Sequence, residues 1–209
     1  MKRSLAMVLT LLGVWTCSVY AQAPRTMKAV PLFPGATVDA VILAQDKQLF
    51  DETTSEMSGL ANRELKVLVT TAPPDEVVRW YVAKLKAEAN NGEGFDPEIL
   101  AQGGTSPVQY DPSYYRPEDF ENQYERDLLI RDGEWVKKSL INRARSADGR
   151  ILSDAVFIWE FINANDGRSE FSLSVEDISF DFEHKRYAPK SKITIQFLEF
   201  SEEGIDEDE

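Results

Sequence analysis

The side chains able to do chemistry are few in kind. The chain holds one histidine, His184, and one cysteine, Cys17. Thiolate metal sites, and sites built on two histidines, need more than that. Cys17 falls in a segment read below as removed, so the mature domain offers no cysteine nucleophile. His184 stands in Glu183-His184-Lys185-Arg186. In so charged a stretch between expected strands it reads as a solvated loop residue rather than the base of a serine triad. No Gly-Lys-Ser/Thr phosphate loop, dinucleotide fingerprint or Gly-x-Ser-x-Gly elbow occurs.

Carboxylates are abundant, with 36 Asp and Glu in 209 residues. A glycosidase needs only two at a set separation, and Trp80, Trp135 and Trp159 could stack on sugar rings. Trp80 nevertheless sits beside core positions of an expected helix, and Trp159 alternates with Phe157 and Phe161 in an expected strand. Both read as core. The Asp-Gly turns at 132–133, 148–149 and 166–167 superficially resemble calcium loops. Aligning Gly167 to the loop glycine puts Ile162 and Ala164 at ligand positions, and Gly149 puts Ala144 and Ser146 there, so both fail. The sequence thus names no catalytic, cofactor-binding or metal-ligating residue.

One group remains as a possible partner contact: Tyr110, Tyr114 and Tyr115, within Tyr110-Asp111-Pro112-Ser113-Tyr114-Tyr115-Arg116-Pro117. Tyrosine offers a large rigid surface with a polar tip, and loops carry binding function disproportionately. The competing reading has these rings pin a long loop to the domain.

The elements that must position these residues follow from periodicity. Val30-Pro31-Leu32-Phe33-Pro34-Gly35-Ala36 forces an extended approach and a turn. Val38 and Ala40–Leu43 suggest a short first strand. Residues 44–62 are polar and carry no assignment. Leu65–Thr70 alternates as a half-buried strand, with Leu65, Val67 and Val69 on one face. The prolines and acids of Pro73-Pro74-Asp75-Glu76 then suit a helix start. Val77, Tyr81 and Leu85, flanked by Val78 and Val82, give that helix one apolar stripe. It is expected to reach about Ala89 and to end at Asn90-Asn91-Gly92.

Residues 90–118 are rich in Gly and Pro and read as irregular, a length that is often functional. Two helices should follow, one through Phe120, Tyr124 and Leu128, the other through Trp135, Val136, Leu140 and Ile141. The final third reads as sheet. Residues 151–163 place Ala155, Phe157, Trp159 and Phe161 on one face and Val156, Ile158 and Ile162 on the other, as in a central strand covered on both sides. Asp166-Gly167 marks a tight hairpin, and Phe171, Leu173 and Val175 return. A shift of parity to Ile178, Phe180 and Phe182 predicts a bulge near Glu176-Asp177. Ile193, Ile195 and Phe197 mark the last strand. The pattern implies an α+β domain, an antiparallel or mixed sheet with helices packed on one face. No internal repeat is present.

The N-terminus supplies the address. Met1-Lys2-Arg3, an apolar run from Leu5 to Trp15 and a small-residue end at Val19-Tyr20-Ala21 follow the order of a secretory signal. Cleavage after Ala21 leaves Gln22 first. Two other readings are an uncleaved anchor over residues 4–24 and a lipoprotein acylated at Cys17, for which Trp15 and Thr16 are poorly suited. The expected organisation is a signal over 1–21, a flexible lead-in over 22–29, one domain over 30–200 and an acidic tail over 201–209. Loss of the signal removes Lys2 and Arg3, leaving 21 basic against 36 acidic side chains, a net −15. Such a field repels phosphate backbones and anionic membranes, so nucleic acid is excluded as a partner, and no membrane span follows the signal.

Pro31-Leu32-Phe33-Pro34-Gly35-Ala36, a strand ending in Thr70-Thr71, and Pro74-Asp75-Glu76-Val77-Val78-Arg79-Trp80-Tyr81-Val82-Ala83-Lys84-Leu85 together carry a resemblance. The chain resembles uncharacterised bacterial exported proteins and lipoproteins that share a Pro-x-aromatic-Pro-Gly-Ala segment and an aromatic pair ahead of Lys-Leu in the first helix. The likeness covers roughly residues 30–86, with a fainter echo in Ile193-Thr194-Ile195. It implies a bacterial envelope setting and an α+β fold, and no activity. The expectation is an exported, non-catalytic domain binding a protein or small ligand, with residues 90–118 as its contact surface. The rivals are a carboxylate-dependent hydrolase of envelope glycans and a purely structural protein.

Overall fold

The computed structural model describes residues 23–92, 95, 97–115, 149–181, 184 and 186–201. The expected signal with Cys17, the two helices expected between 117 and 145, Trp135, the turn at 132–133, Phe182 and the tail beyond Ser201 lie outside the described residues.

The chain enters through residues 23–30, of which 23–29 belong to the segment read from sequence as a flexible lead-in. Here they are packed: Met27 and Val30 are buried, and the Trp159 indole donates to the Pro24 carbonyl at 2.7 Å. The Arg25 guanidinium lies over the Phe161 ring and donates to the Thr105 hydroxyl. Pro34-Gly35 then turns the chain as expected, with Gly35 at φ 78° and the Ala36 N–H bonded to the Phe33 carbonyl.

Helix α1 spans Ala40–Thr54, where the sequence suggested a strand over Ala40–Leu43 and assigned nothing to residues 44–54. Asp39 decides the matter, because its carboxylate accepts from the Val41 and Ile42 N–H groups and caps the helix. The Ile42 bond, joined by Val41 and Lys190, holds the Asp39 carboxyl below its usual range against the opposing effect of burial. Strand β1, Leu60–Thr70, is longer than its apolar alternation. Helix α2 covers Pro74–Leu85 and stops four residues earlier than expected. Lys86 adopts the left-handed conformation at φ 52°, and its N–H closes back on the Val82 carbonyl. The freed residues form strand β2, Glu88–Ala89, which pairs in parallel with a later strand.

The irregular section contains regular structure. Helix α3 spans Pro97–Ala101 and strand β3 spans Gln109–Tyr114, despite Pro112. That proline is tolerated because β2 pairs only with Gln109 and Tyr110, leaving β3 an edge at residue 112. Strands β4 (Leu152–Ile162) and β5 (Arg168–Asp177) form the expected hairpin, with Asp166 at φ 58°. The expected bulge at Glu176-Asp177 is instead the end of β5. The Asp177 carboxylate accepts from the Ser179 N–H, and the chain leaves for a small separate ribbon, β6 (Phe180–Asp181) and β7 (Arg186–Tyr187). Strand β8, Ser191–Phe200, returns between β1 and β5.

The main sheet has the order β1-β8-β5-β4-β3-β2, antiparallel except for the parallel pair at β2. The fold is α+β. Strand parity assigns its two faces. Leu68, Phe157, Trp159, Phe171, Leu173, Val175, Ile193 and Ile195 join Val77, Tyr81 and Leu85 of α2 in one apolar core. The opposite face carries Val67, Ser174, Thr194 and Lys192, and α1 lies across its β1–β8 edge. With α1 expected as a strand, this cover was not foreseen. Further along, the same face is open at β4, where Ile158 is exposed rather than covered as expected. Among the described residues no helix is long and apolar enough to cross a membrane.

Candidate functional site

Between α1 and the sheet lies a groove of about 250 Å³. Its apolar wall comes from Leu49, Phe50 and Met57 with Leu65 and Leu198 of β1 and β8; its polar wall comes from Asp46, Ser174, Glu176, Lys192, Thr194 and Gln196. Two periodicities meet here. Asp46 and Phe50 stand one helical turn apart on α1, while Lys192, Thr194 and Gln196 alternate along β8 on the face turned from the core.

Lys192 organises the polar side. Its ammonium lies 3.1 Å from a carboxylate oxygen of Asp46 and 3.1 Å from one of Glu176, with the lysine side chain only 17% exposed. Burial pulls this amine down, but the hydrogen bonds and charges of Asp46 and Glu176 outweigh it, so it titrates above the usual lysine range. Glu176 and Lys192 are direct cross-strand partners. Beside them Thr194 is 6% exposed, and its hydroxyl has no hydrogen-bond partner among the described residues. A buried hydroxyl without a partner carries its full desolvation cost.

A second group lies at the other end of the sheet. Glu160, 7% exposed, meets Arg168 at 2.6 Å, and the same guanidinium meets Glu170 at 3.0 Å. Burial raises the Glu160 carboxyl above its usual range against the pull of Arg168. The Ser106 hydroxyl accepts from the Glu160 N–H, and the Ser106 N–H donates to the Glu160 carbonyl, tying the loop after α3 to β4. A third buried group, Tyr81, has its phenol pushed up by burial; the Phe33 backbone approaches without reaching hydrogen-bond geometry.

The tyrosines do not converge on one patch. Tyr110 stacks on its cross-strand partner Phe157 with ring centroids 5.6 Å apart. Tyr114 lies under the Arg150 guanidinium, 3.9 Å from the ring centroid. The Tyr115 hydroxyl donates to Asp177 at 2.9 Å, and its ring meets Phe180 edge-on. Each ring therefore has a partner within the domain. Beside Tyr110 a shallower depression of about 310 Å³ is lined by Phe95, Asp111, Val156 and Ile158. His184 is exposed and its Nδ1 contacts Asp181 at 2.9 Å, with no serine bonded to the ring among the described residues. Trp159 is fully buried, and Trp80 packs edge-on against Phe33 and Tyr81.

In the groove a charged cluster faces an apolar wall. Asp46 and Glu176 are bridged there by the one ammonium of Lys192. Among the described residues no three His, Cys, Asp or Glu side chains group to hold a metal. Sequence reading missed this groove because its parts lie on α1, β5 and β8, and only register brings Glu176 opposite Lys192. Glu160 did carry a signal, as a charged residue that shares with Asp154 the Val156, Ile158, Ile162 face of β4. No family model matches the chain, and neither a curated protein nor a solved structure matches it.

Proposed function

We propose that this is an exported, non-catalytic binding domain of the bacterial envelope that takes a small ligand in the groove under α1. The observation carrying the reading is Thr194: a buried hydroxyl without a partner, beside a lysine held by two acids, in a groove with an apolar wall. Asp46, Glu176 and Lys192 sum to one negative charge, which disfavours an anionic head group. A neutral head that both donates and accepts satisfies Thr194 and the acids together, and a short apolar tail lies against Phe50, Leu65 and Leu198. The volume corresponds to about eight water-sized groups, which limits the ligand to a short amphiphile. The signal-like start and the resemblance over residues 30–86 support the envelope setting.

The test is a titration of the ¹⁵N-labelled protein with hexanamide, whose amide head donates and accepts. Amide shifts should cluster at Phe50, Thr194 and Lys192, and Thr194→Val should weaken binding by about tenfold, the value of one hydrogen bond to a buried group. Shifts that gather elsewhere, or are untouched by that substitution, remove the reading. A second reading keeps the surface of residues 90–118 as a protein contact, favoured by the exposed Ile158 beside Tyr110. It predicts that alanine at Tyr110, Tyr114 and Tyr115 abolishes capture of an envelope partner.

A further inference from the structure

The two edges of the main sheet are unequal. On one side β2 has two residues and β3 carries Pro112, so length and a missing N–H blunt that edge. On the other side β1 runs eleven residues. Among the described residues its outer rim is paired only at one end, where Val69 exchanges both backbone hydrogen bonds with Thr37, at 2.8 and 2.9 Å. That contact fixes the phase of the strand. Val69 points its N–H and carbonyl outward, so Val67, Leu65 and Arg63 do the same by alternation, while the even residues face β8. The Arg63 side chain does not block the rim, because it folds over α1 to the Asp51 carboxylate and the Thr54 hydroxyl. Of the seven exposed large apolar side chains among the described residues, five, Leu32, Val38, Val41, Leu49 and Met57, fall in the segment leading into this strand.

We propose that the β1 edge is a homodimer interface, in which β1 of two copies pair antiparallel about a two-fold axis at Leu65. The register follows from three constraints. A two-fold axis normal to the sheet places residues of equal parity opposite each other. Hydrogen-bonded pairs must be odd residues, since those face outward. Charges must also match. Centring the axis on Glu64 sets that acid against itself, and centring it on Arg63 sets two guanidinium groups opposite each other. Centring it on Leu65 makes Leu65 with Leu65 and Arg63 with Val67 the hydrogen-bonded pairs. It sets Glu64 of each copy against Lys66 of the other in a non-hydrogen-bonded pair, the closer kind, where opposite charges stabilise. Neither Glu64 nor Lys66 has an ion pair of its own among the described residues. Charged edge residues ordinarily prevent strand addition; in this register they select a second copy and reject other strands.

The test is sedimentation equilibrium of the purified protein up to about 100 µM in about 0.15 M salt, where only near charges act. The parent should be dimeric. Glu64→Lys sets lysine against lysine and Lys66→Glu sets acid against acid, so each single variant should dissociate at least fivefold more readily. The double variant E64K/K66E restores opposite charges and should recover the parent value. Unchanged thermal midpoints in the single variants separate interface loss from unfolding. Leu65→Cys should also crosslink to its own copy, because hydrogen-bonded pairs hold Cα atoms about 5.5 Å apart, within disulfide range. Arg63→Cys should not, since its counterpart is Val67. A monomeric parent, single variants that dimerise like the parent, or crosslinking at 63 in place of 65 each overturns the proposal.

Discussion

Gly167 lies so close to Phe200 that a Cβ on it would stand 1.9 Å from the Phe200 carbonyl oxygen. The hairpin between β4 and β5 thus presses against the end of β8, where the Asn163 amide also donates to that carbonyl at 3.1 Å. The glycine of the Asp-Gly turn is needed for this approach, while the left-handed φ is taken by Asp166. Gly167→Ala should cost about 2–3 kcal/mol through overpacking against backbone, lowering the thermal midpoint by roughly 5–10 °C. A loss under about 0.5 kcal/mol in urea unfolding would mean the two chain segments separate freely.

The docked N-terminal segment gives a second expectation. The Trp159 indole holds the Pro24 carbonyl while Met27 and Val30 enter the core. Trp159→Phe keeps an aromatic ring but loses the hydrogen bond and some packing, about 1–3 kcal/mol together. Trypsin should then cut at Arg25 and Lys28 faster than in the parent. Cleavage there at the parental rate, with stability lowered, would place the cost elsewhere in the core.

Much of the fold was legible because periodicity reports local burial. The α2 stripe, the inward faces of β4 and β5 and the Ile193-Ile195-Phe197 set all stand where alternation puts them. What escaped depends on partners distant in sequence. Ala40–Leu43 is apolar enough for a strand, and only the cap at Asp39 and the sheet beneath select a helix. Pro112 disguised β3, which is a strand because β4 offers a pairing edge. The candidate groove was less legible still. Asp46, Glu176 and Lys192 are unremarkable surface charges in sequence, and the missing partner of Thr194 is a property of packing alone.

Glu160 sets a pH dependence. Burial raises its folded-state pKa above the unfolded value, so the ionised form is the one the fold penalises. Its contribution is unfavourable above the folded pKa and fades as pH falls through it toward the unfolded value of 4.5. Arg168, nearly half exposed, can be solvated without its partner. Glu160→Gln should therefore raise the thermal midpoint at pH 7 and leave it unchanged at about pH 3.5. A lower midpoint at pH 7 would show that attraction to Arg168 exceeds the burial cost.

Thr194 and Lys192 separate stability from binding. A hydroxyl that is buried without a partner is a cost the empty protein bears, so Thr194→Val, similar in shape, should stabilise by up to about 1 kcal/mol. Lys192→Met acts oppositely. It leaves Asp46 and Glu176 facing each other uncompensated, which should loosen α1 and speed amide exchange across residues 42–54 while the β4–β5 core stays protected. The parental lysine, with its pKa raised, should hold α1 in place until alkaline pH removes its charge. A groove kept for binding should thus be made more stable by the substitution that weakens its ligand. If Thr194→Val destabilises by more than about 1 kcal/mol, the hydroxyl already has a partner and the groove loses its strongest mark of a ligand site.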